Sequence, residues 1–404
     1  MKLLVIGKGG REHALACTFK RQGHTVFSIP GTHKIEANDF RELALFAQKH
    51  EIDLTVVGPE EPLAAGIADF FQSKGLPLFG PVKRAAQLES SKIFAKEFMS
   101  RHQIPTAEFV ICQNLREANR TIETRFENWG GIVVKPDGLT GGKGVFVCKT
   151  KEDAKKAVSN LFVSEADKAV LERPLTGREV SLLCFSDGHT LMQTLPCQDH
   201  KRLLDEDKGP NTGGMGAFCP VALDDVTQVI INPILKGLKK EGIVYKGILF
   251  IGLLITEQGP KILEFNCRFG DPETQTLLPL LESDLAKIML ACTQGTLQEQ
   301  SLKWSGKKSC TVIATAEGYP YNPMTGRQIS GIEEAERLPE TMVFHAAAEK
   351  RGENFFTTGG RVLAVTALGQ TLQEAAERAY EGASLIHFEG MHYRKDIARR
   401  TAPC

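Results

Sequence analysis

The chain opens on a strand that runs straight into a glycine turn and a helix: Leu3, Leu4, Val5 and Ile6 precede Gly7-Lys-Gly-Gly10, and Arg11-Glu-His-Ala-Leu-Ala follows. Such a strand, glycine turn and helix are the opening of a doubly wound α/β domain. Strand segments at Thr25–Ile29, Leu54–Val57 and Leu78–Phe79, with helical stretches between them, extend this parallel-sheet pattern over residues 1–100. At roughly 150 residues per domain, the 404 residues hold two to three domains, so more must follow.

From about residue 101 the pattern becomes antiparallel. Segments 132–135 and 145–148 flank a glycine-rich turn, a helix falls near 152–160, and 169–172 returns as a strand; the spacing predicts a small hairpin-rich lobe over about 121–172. Strands at 180–186, 248–256 and 261–266 predict a larger lobe with a polar insert at 198–216, the two lobes together spanning 101–305. Residues 306–404 give strands at 310–316 and 362–367 and a helix over 372–386, a small C-terminal α/β domain. One helix is predicted over 85–100, with Lys92 and Lys96 one turn apart. The expected architecture is therefore multidomain, α/β and α+β.

Composition removes several classes of function. Lys plus Arg and Asp plus Glu are 49 each, for zero net charge, and no basic run supplies the surface that nucleic acids need. The longest uncharged apolar stretch, 248–255, is far shorter than a bilayer span of about 20 residues and reads as a buried strand. The apolar run at 3–6 is too short for a signal-peptide core of about 7 to 15 residues, so a cytoplasmic protein is expected. The ten cysteines form no C-x-x-C pair and no zinc-spaced cluster, and are expected as reduced thiols in cores.

Four polar motifs remain. At Gly7-x-Gly9, Glu12 stands where a dinucleotide fingerprint has its third glycine and no acid ends the second strand, which disfavours a nicotinamide cofactor. The turn is then either only a tight turn or, with Arg11 beside it, an anion site. In Lys135-Pro-Asp-Gly138-Leu-Thr-Gly-Gly-Lys-Gly-Val145, two lysines and four glycines lie between strands; the spacing is not that of a Walker A loop but suits a hairpin folding over a triphosphate. Glu264 and Asn266, two apart on a strand, share a face and offer hard oxygen ligands for Mg²⁺, with Arg268 extending the row. The loop from Gln198-Asp-His-Lys-Arg202 to Gly209-Pro-Asn-Thr-Gly-Gly-Met-Gly216 is polar and long enough to bind substrate.

Together, the lysine-bracketed hairpin, the Glu-x-Asn strand and the preceding α/β domain resemble the ATP-grasp ligases. More narrowly, Gly7 to Leu15, Val57-Gly-Pro-Glu60, the 198–202 and 209–217 blocks, the 264–274 block, Gly359-Gly-Arg-Val-Leu363 and Arg394-Lys-Asp-Ile397 resemble the phosphoribosylamine-glycine ligases, over the whole chain. The resemblance implies joining of glycine to 5-phosphoribosylamine with ATP through glycyl phosphate, giving glycinamide ribonucleotide, ADP and phosphate, the second step of de novo purine synthesis. It implies that Glu264 and Asn266 hold Mg²⁺ or Mn²⁺, and that Lys92, Lys135, Gly141, Gly142, Lys143 and Gly144 meet the ATP phosphates. Glu172, Arg173 and Leu175 would receive adenine at the interlobe hinge, and Glu179 the ribose. Arg268 would neutralise the glycine carboxylate and the acyl phosphate. The substrate side would comprise Gly10, Arg11 and Glu12, then Asp199 and Lys201, then Asn211, Thr212, Gly213, Gly214 and Met215, and finally Arg361.

Several departures from the family pattern matter: residues 135–141 lack its alanines but keep every glycine and lysine, the connection at 164–168 is shortened, Arg178 stands where an acid is commoner, and Gly31-Thr-His-Lys34 lacks an asparagine and a second glycine, which implies a changed affinity for phosphoribosylamine. The expected protein is a monomer with no nucleic-acid or membrane partner, in transient contact with the enzyme that makes its unstable amine. Two other readings are a ligase acting on bicarbonate or formate, opposed by the 198–202 and 209–217 blocks, and a nucleotide sensor without chemistry. The joint presence of Lys135, Lys143, Glu264, Asn266 and Arg268 opposes the second.

Overall fold

The computed structural model describes residues 1–29, 35–139, 144–164 and 166–399, which leaves the 31–34 departure outside the described residues. A four-stranded parallel sheet comes first, in the order Thr25–Ile29, Lys2–Ile6, Leu54–Val57, Leu78–Phe79. Both faces are covered, so Leu3, Leu4, Val5 and Ile6 are all buried. Leu4, Ile6 and Val57 pack with Leu43, Phe46 and Phe71 from the helices Phe40–Lys49 and Ile67–Ser73. The alternate residues Leu3, Val5 and Val56 share a core with Leu183, Phe185 and Ile248, which joins this sheet to the large lobe. Strand order reverses between Lys2–Ile6 and Leu54–Val57, so their C-terminal ends, at Gly7 and Gly58, form the crevice where open parallel sheets bind ligands.

The single helix expected over 85–100 is two, Lys83–Ser90 and Lys92–Arg101. Ser91 between them is extended, and its hydroxyl accepts from Phe94 N at 3.1 Å while donating to Asp137 Oδ1 at 3.0 Å. A serine satisfies the free amides of a helix start, and here that preference outweighs continuous helical periodicity. The break seats the second helix against the glycine-rich turn.

The small lobe is an antiparallel sheet ordered Phe109–Cys112, Ala169–Glu172, Ile132–Pro136, Phe146–Cys148, with helices Leu115–Trp129 and Lys151–Leu161 packed on its core. It takes in a strand and the first part of a helix ahead of residue 121, where the sequence pattern starts the lobe. The large lobe is ordered Leu191–Gln193, Arg178–Asp187, Lys246–Thr256, Gly259–Asn266. A register shift after Gly252 sets Glu264 opposite that glycine, whose added Cβ would lie 3.3 Å from Glu264 Cγ. Alternation then turns Phe265 and Cys267 into the core and leaves Glu264 and Asn266 on the cleft face.

The insert is the main correction to the sequence pattern, which puts all of 198–216 in the larger lobe. Its bordering strands, Gln198–Asp199 and Gly216–Cys219, join Lys308–Thr315, Arg361–Gly369 and Thr341–His345 in one five-stranded antiparallel sheet. Phe218 pairs with Cys310 and is buried in the C-terminal core, where helix Leu372–Leu385 brings Ala375, Ala379 and Ala383. A second sheet there, of Gln328–Ile329, Asn354–Thr357 and Ala348–Arg351, is also beyond the sequence reading. The nine described cysteines are free thiols. Among the described residues no helix is long and apolar enough to cross a membrane.

Candidate active site

A cleft of about 1210 Å³ lies between the parallel sheet, both antiparallel lobes and the C-terminal sheet. On the small-lobe side Glu172 is buried between two ammonium groups, Lys135 Nζ at 3.0 Å and Lys96 Nζ at 3.1 Å. Burial draws the Lys96 ammonium down to about 8 against the pull of Glu172. Lys92 Nζ donates to the Gly138 carbonyl at 2.7 Å, which fixes the helix start to the glycine turn. Burial lowers the Lys92 ammonium too, while Glu264 pulls it back up. Lys96 carries no role in the sequence reading, although its position one turn from Lys92 is the signal that places it here. At the hinge the Arg173 amide donates to the Glu108 carbonyl at 2.9 Å, and Arg173 and Leu175 line the cleft.

Facing them, burial pushes the Glu264 carboxyl up, but Lys201, Lys135, Lys92 and Arg268 outweigh it and hold the group ionised below its usual range. Asn266 lines the same wall. Lys201 Nζ reaches Glu179 Oε2 at 3.0 Å, and the carboxylates of Glu179, Asp199 and Glu264 hold its ammonium charged despite burial. Asp199 goes the other way: burial, then the nearby Glu273, Glu179 and Glu264, bring it to about 8 against the pull of Lys201.

Arg268 ties the large lobe to the N-terminal domain. Its Nε lies 3.1 Å from Glu60 Oε2 and its Nη2 3.2 Å from Glu89 Oε1, while Glu89 Oε2 accepts from Cys267 N at 2.7 Å. Burial raises Glu89 to about 7 against Arg268, whereas Arg268 and Arg11 keep Glu60 below its usual range in spite of burial. Neither carboxylate has a role in the sequence reading. Glu60 had a visible signal, because Val57-Gly-Pro-Glu60 follows the strand end at the crevice.

On the substrate side, Arg11 donates from Nη1 to the Phe269 carbonyl at 3.0 Å and lines the cleft. Glu12 turns inward: its carboxylate accepts from Gly9 N and from Arg11 Nε, each at 2.7 Å, and it is buried. The carboxylate therefore satisfies the helix start itself and occupies the place where the turn would hold an anion. A Cβ on Gly58 would run into the Glu12 carboxylate, so only glycine leaves it room. Across the cleft, Arg361 donates from Nη1 to the Asp271 carbonyl at 2.9 Å and pairs through Nη2 with Asp271 Oδ2 at 3.2 Å. Its guanidinium also holds the Gly213 carbonyl, beside cleft-lining Asn211 and Thr212.

The cleft thus gathers Lys92, Lys135, Glu172, Arg173, Leu175 and Glu179 with Glu264, Asn266 and Arg268, and with the Arg11, Asp199, Lys201, Asn211, Thr212, Gly213 and Arg361 side. Gly10, Glu12, Gly144, Gly214 and Met215 do not line it; Met215 is fully buried, and an added Cβ on Gly214 would lie 2.5 Å from Pro272. Gly141, Gly142 and Lys143 lie outside the described residues.

A parallel-sheet domain, two antiparallel lobes and a cleft where lysines of one lobe meet a Glu-x-Asn strand of the other define an ATP-grasp enzyme. The family descriptions "Phosphoribosylglycinamide synthetase" N domain, ATP-grasp (A) domain and C domain match residues 1–89, 90–274 and 309–400. The phosphoribosylamine-glycine ligase of Caldanaerobacter subterraneus subsp. tengcongensis is 40% identical over 98% of this chain and 99% of its own length. The trifunctional purine biosynthetic protein adenosine-3 of Gallus gallus is 44% identical over 99% of this chain and 42% of its own. A crystal structure of the Thermotoga maritima phosphoribosylamine-glycine ligase superposes with a TM-score of 0.83 at 31% identity, covering 98% of this chain and all of that one. The chain belongs to the phosphoribosylglycinamide synthetase family.

Proposed function

We propose that the protein joins glycine to 5-phosphoribosylamine at the expense of ATP, giving glycinamide ribonucleotide, ADP and phosphate, the second step of purine synthesis. The observation that carries this reading is the meeting of three chemistries in one cleft: the lysines 92 and 135, the ionised Glu264 beside Asn266, and the arginines 11, 268 and 361. A carboxylate is a poor electrophile, so a glycine oxygen attacks the γ-phosphorus of ATP and the bond to ADP breaks. The amine nitrogen then attacks the acyl carbon, the C–O bond breaks, and phosphate and a proton leave.

In this reading Lys92 and Lys135 face the phosphates and offset charge on the transferring group. Arg268 orients the carboxylate, and the residues around Arg11 and Arg361 hold the sugar phosphate. Adenine sits by the 172–175 hinge and its ribose by Glu179. Glu264 and Asn266 fit a hard cation as two oxygen donors, one firmly ionised. Among the described residues no group of three or more His, Cys, Asp or Glu is placed to hold a metal, so phosphate oxygens and water would complete the shell of Mg²⁺ or Mn²⁺. Bound there, the ion supplies further charge neutralisation on the phosphates. A cytoplasmic monomer that takes its unstable amine from the enzyme making it belongs to the same reading.

Purified protein with ATP, magnesium and phosphoribosylamine generated in place should release ADP only when glycine is also present. Release that follows bicarbonate or formate and ignores glycine would contradict the proposal.

A further inference from the structure

The insert hairpin that borders the cleft contains an unusual backbone. Between the strands Arg202–Leu204 and Lys208–Asn211, Glu206 and Asp207 take consecutive positive φ angles, 61° and 53°. Residues other than glycine stay in that region only where their surroundings over-determine it, and such places concentrate at functional sites.

The surroundings are the segment 392–396, almost two hundred residues further along the chain. Arg394 is completely buried. It grips Asp396 with two parallel bonds of 2.8 Å, from Nε and Nη2, and sends Nη1 to Asp207 Oδ1 at 2.8 Å and to the Arg202 carbonyl at 3.1 Å. Asp396 Oδ2 accepts from Glu206 N at 2.9 Å, and Asp205 Oδ1 accepts from Lys395 N at 2.8 Å. Each residue of the tight turn is therefore held by a charged partner or by the backbone beside it, and bidentate arginine pairs fix orientation as well as distance.

The hairpin in turn fixes the cleft wall. The Lys201 carbonyl accepts from both Thr212 N and Thr212 Oγ1 at 2.8 Å, and Met215 N donates to the His200 carbonyl at 2.8 Å. Asp207 Oδ1 stands 3.9 Å from His200 Nδ1. A shift of the turn would therefore carry Lys201, Thr212 and Gly213 with it.

We propose that Arg394, with Asp396, is a positioning residue that clamps the insert hairpin in the geometry needed to bind the sugar-phosphate amine. The inference rests on the proposed reading of this cleft wall as the amine's side. A misplacement of about 1 Å can cost up to about a hundredfold in rate. Arg394→Met should raise the KM for phosphoribosylamine roughly tenfold while the KM for ATP stays within about twofold. Amide hydrogen exchange should quicken within 202–212 in that variant, and Arg394→Lys, which keeps a cation between Asp207 and Asp396, should restore most of the amine KM. An unchanged amine KM in a folded Arg394→Met protein, or an equal rise in KM for all three substrates, would overturn the clamp. If Arg394→Met does not fold, Asp396→Asn takes its place: a selective rise in the amine KM supports the clamp, and an unchanged amine KM or an equal rise for all three substrates overturns it. A wild-type protein without glycine- and amine-dependent turnover would instead contradict the functional reading, and the exchange measurement would still decide whether Arg394 holds the hairpin.

Discussion

Glu264→Ala should lower turnover by on the order of 10³-fold, the scale at which removal of a charge-stabilising group acts in phosphoryl transfer. The carboxylate is held ionised on the cleft wall by four cationic side chains, and Asn266 is the other oxygen donor of the proposed pair. Losing it leaves one neutral amide to hold the cation. The strand survives, because its pairing with Lys246–Thr256 is made by backbone and Gly252 opposite leaves space. ATP affinity measured without divalent metal should therefore change little. Steady-state ADP release and metal-free ATP titration separate the two effects, and near-normal turnover would remove Glu264 from the site.

Arg268→Met should damage both chemistry and stability. Its guanidinium and the carboxylates of Glu60 and Glu89 are only 10–17% exposed, so the variant leaves two poorly hydrated acids facing each other. Breaking a buried pair from one side costs about 3 kcal/mol, visible in urea unfolding. Glu89 is already raised to about 7, and without Arg268 it rises further. A carboxyl raised in the folded state binds protons that the unfolded chain does not, so stability falls as pH rises through that range; the deficit of the variant should shrink on acidification below neutrality. Turnover with glycine should fall on the order of 10²- to 10³-fold, the cost of losing one stabilising donor. A variant as stable as the parent at neutral pH, with an unchanged glycine response, would contradict both roles.

Where the chemistry could be read from sequence, the residues lie close together along it. The apolar run from Leu3 to Ile6 declares a strand buried on both faces, and Glu264, Asn266 and Arg268 share a row because strand alternation puts them there. What escapes are pairings across long separations. Nothing local announces that Glu89 will meet Arg268 and Cys267, that Lys96 will share Glu172 with Lys135, or that Arg394 will close on Asp207. The insert is misplaced for the same reason: Ala217, Phe218 and Cys219 look like the end of a polar loop until Lys308–Thr315 supplies their partner strand. Glu12 shows the opposite failure. Its motif suggests a ligand group, but the nearest orphan amide, that of Gly9, claims the carboxylate first.

In the proposed reaction glycine's own carboxylate takes the phosphoryl group before the amine attacks. Glycine labelled with ¹⁸O in its carboxylate should be incubated with ATP, magnesium and phosphoribosylamine, and the released phosphate analysed by mass. One labelled oxygen in each phosphate, formed in step with glycinamide ribonucleotide, is the predicted result. Phosphate free of label, with ADP still accumulating, would mean that water or another acid accepts the phosphoryl group and would rule out a glycyl phosphate.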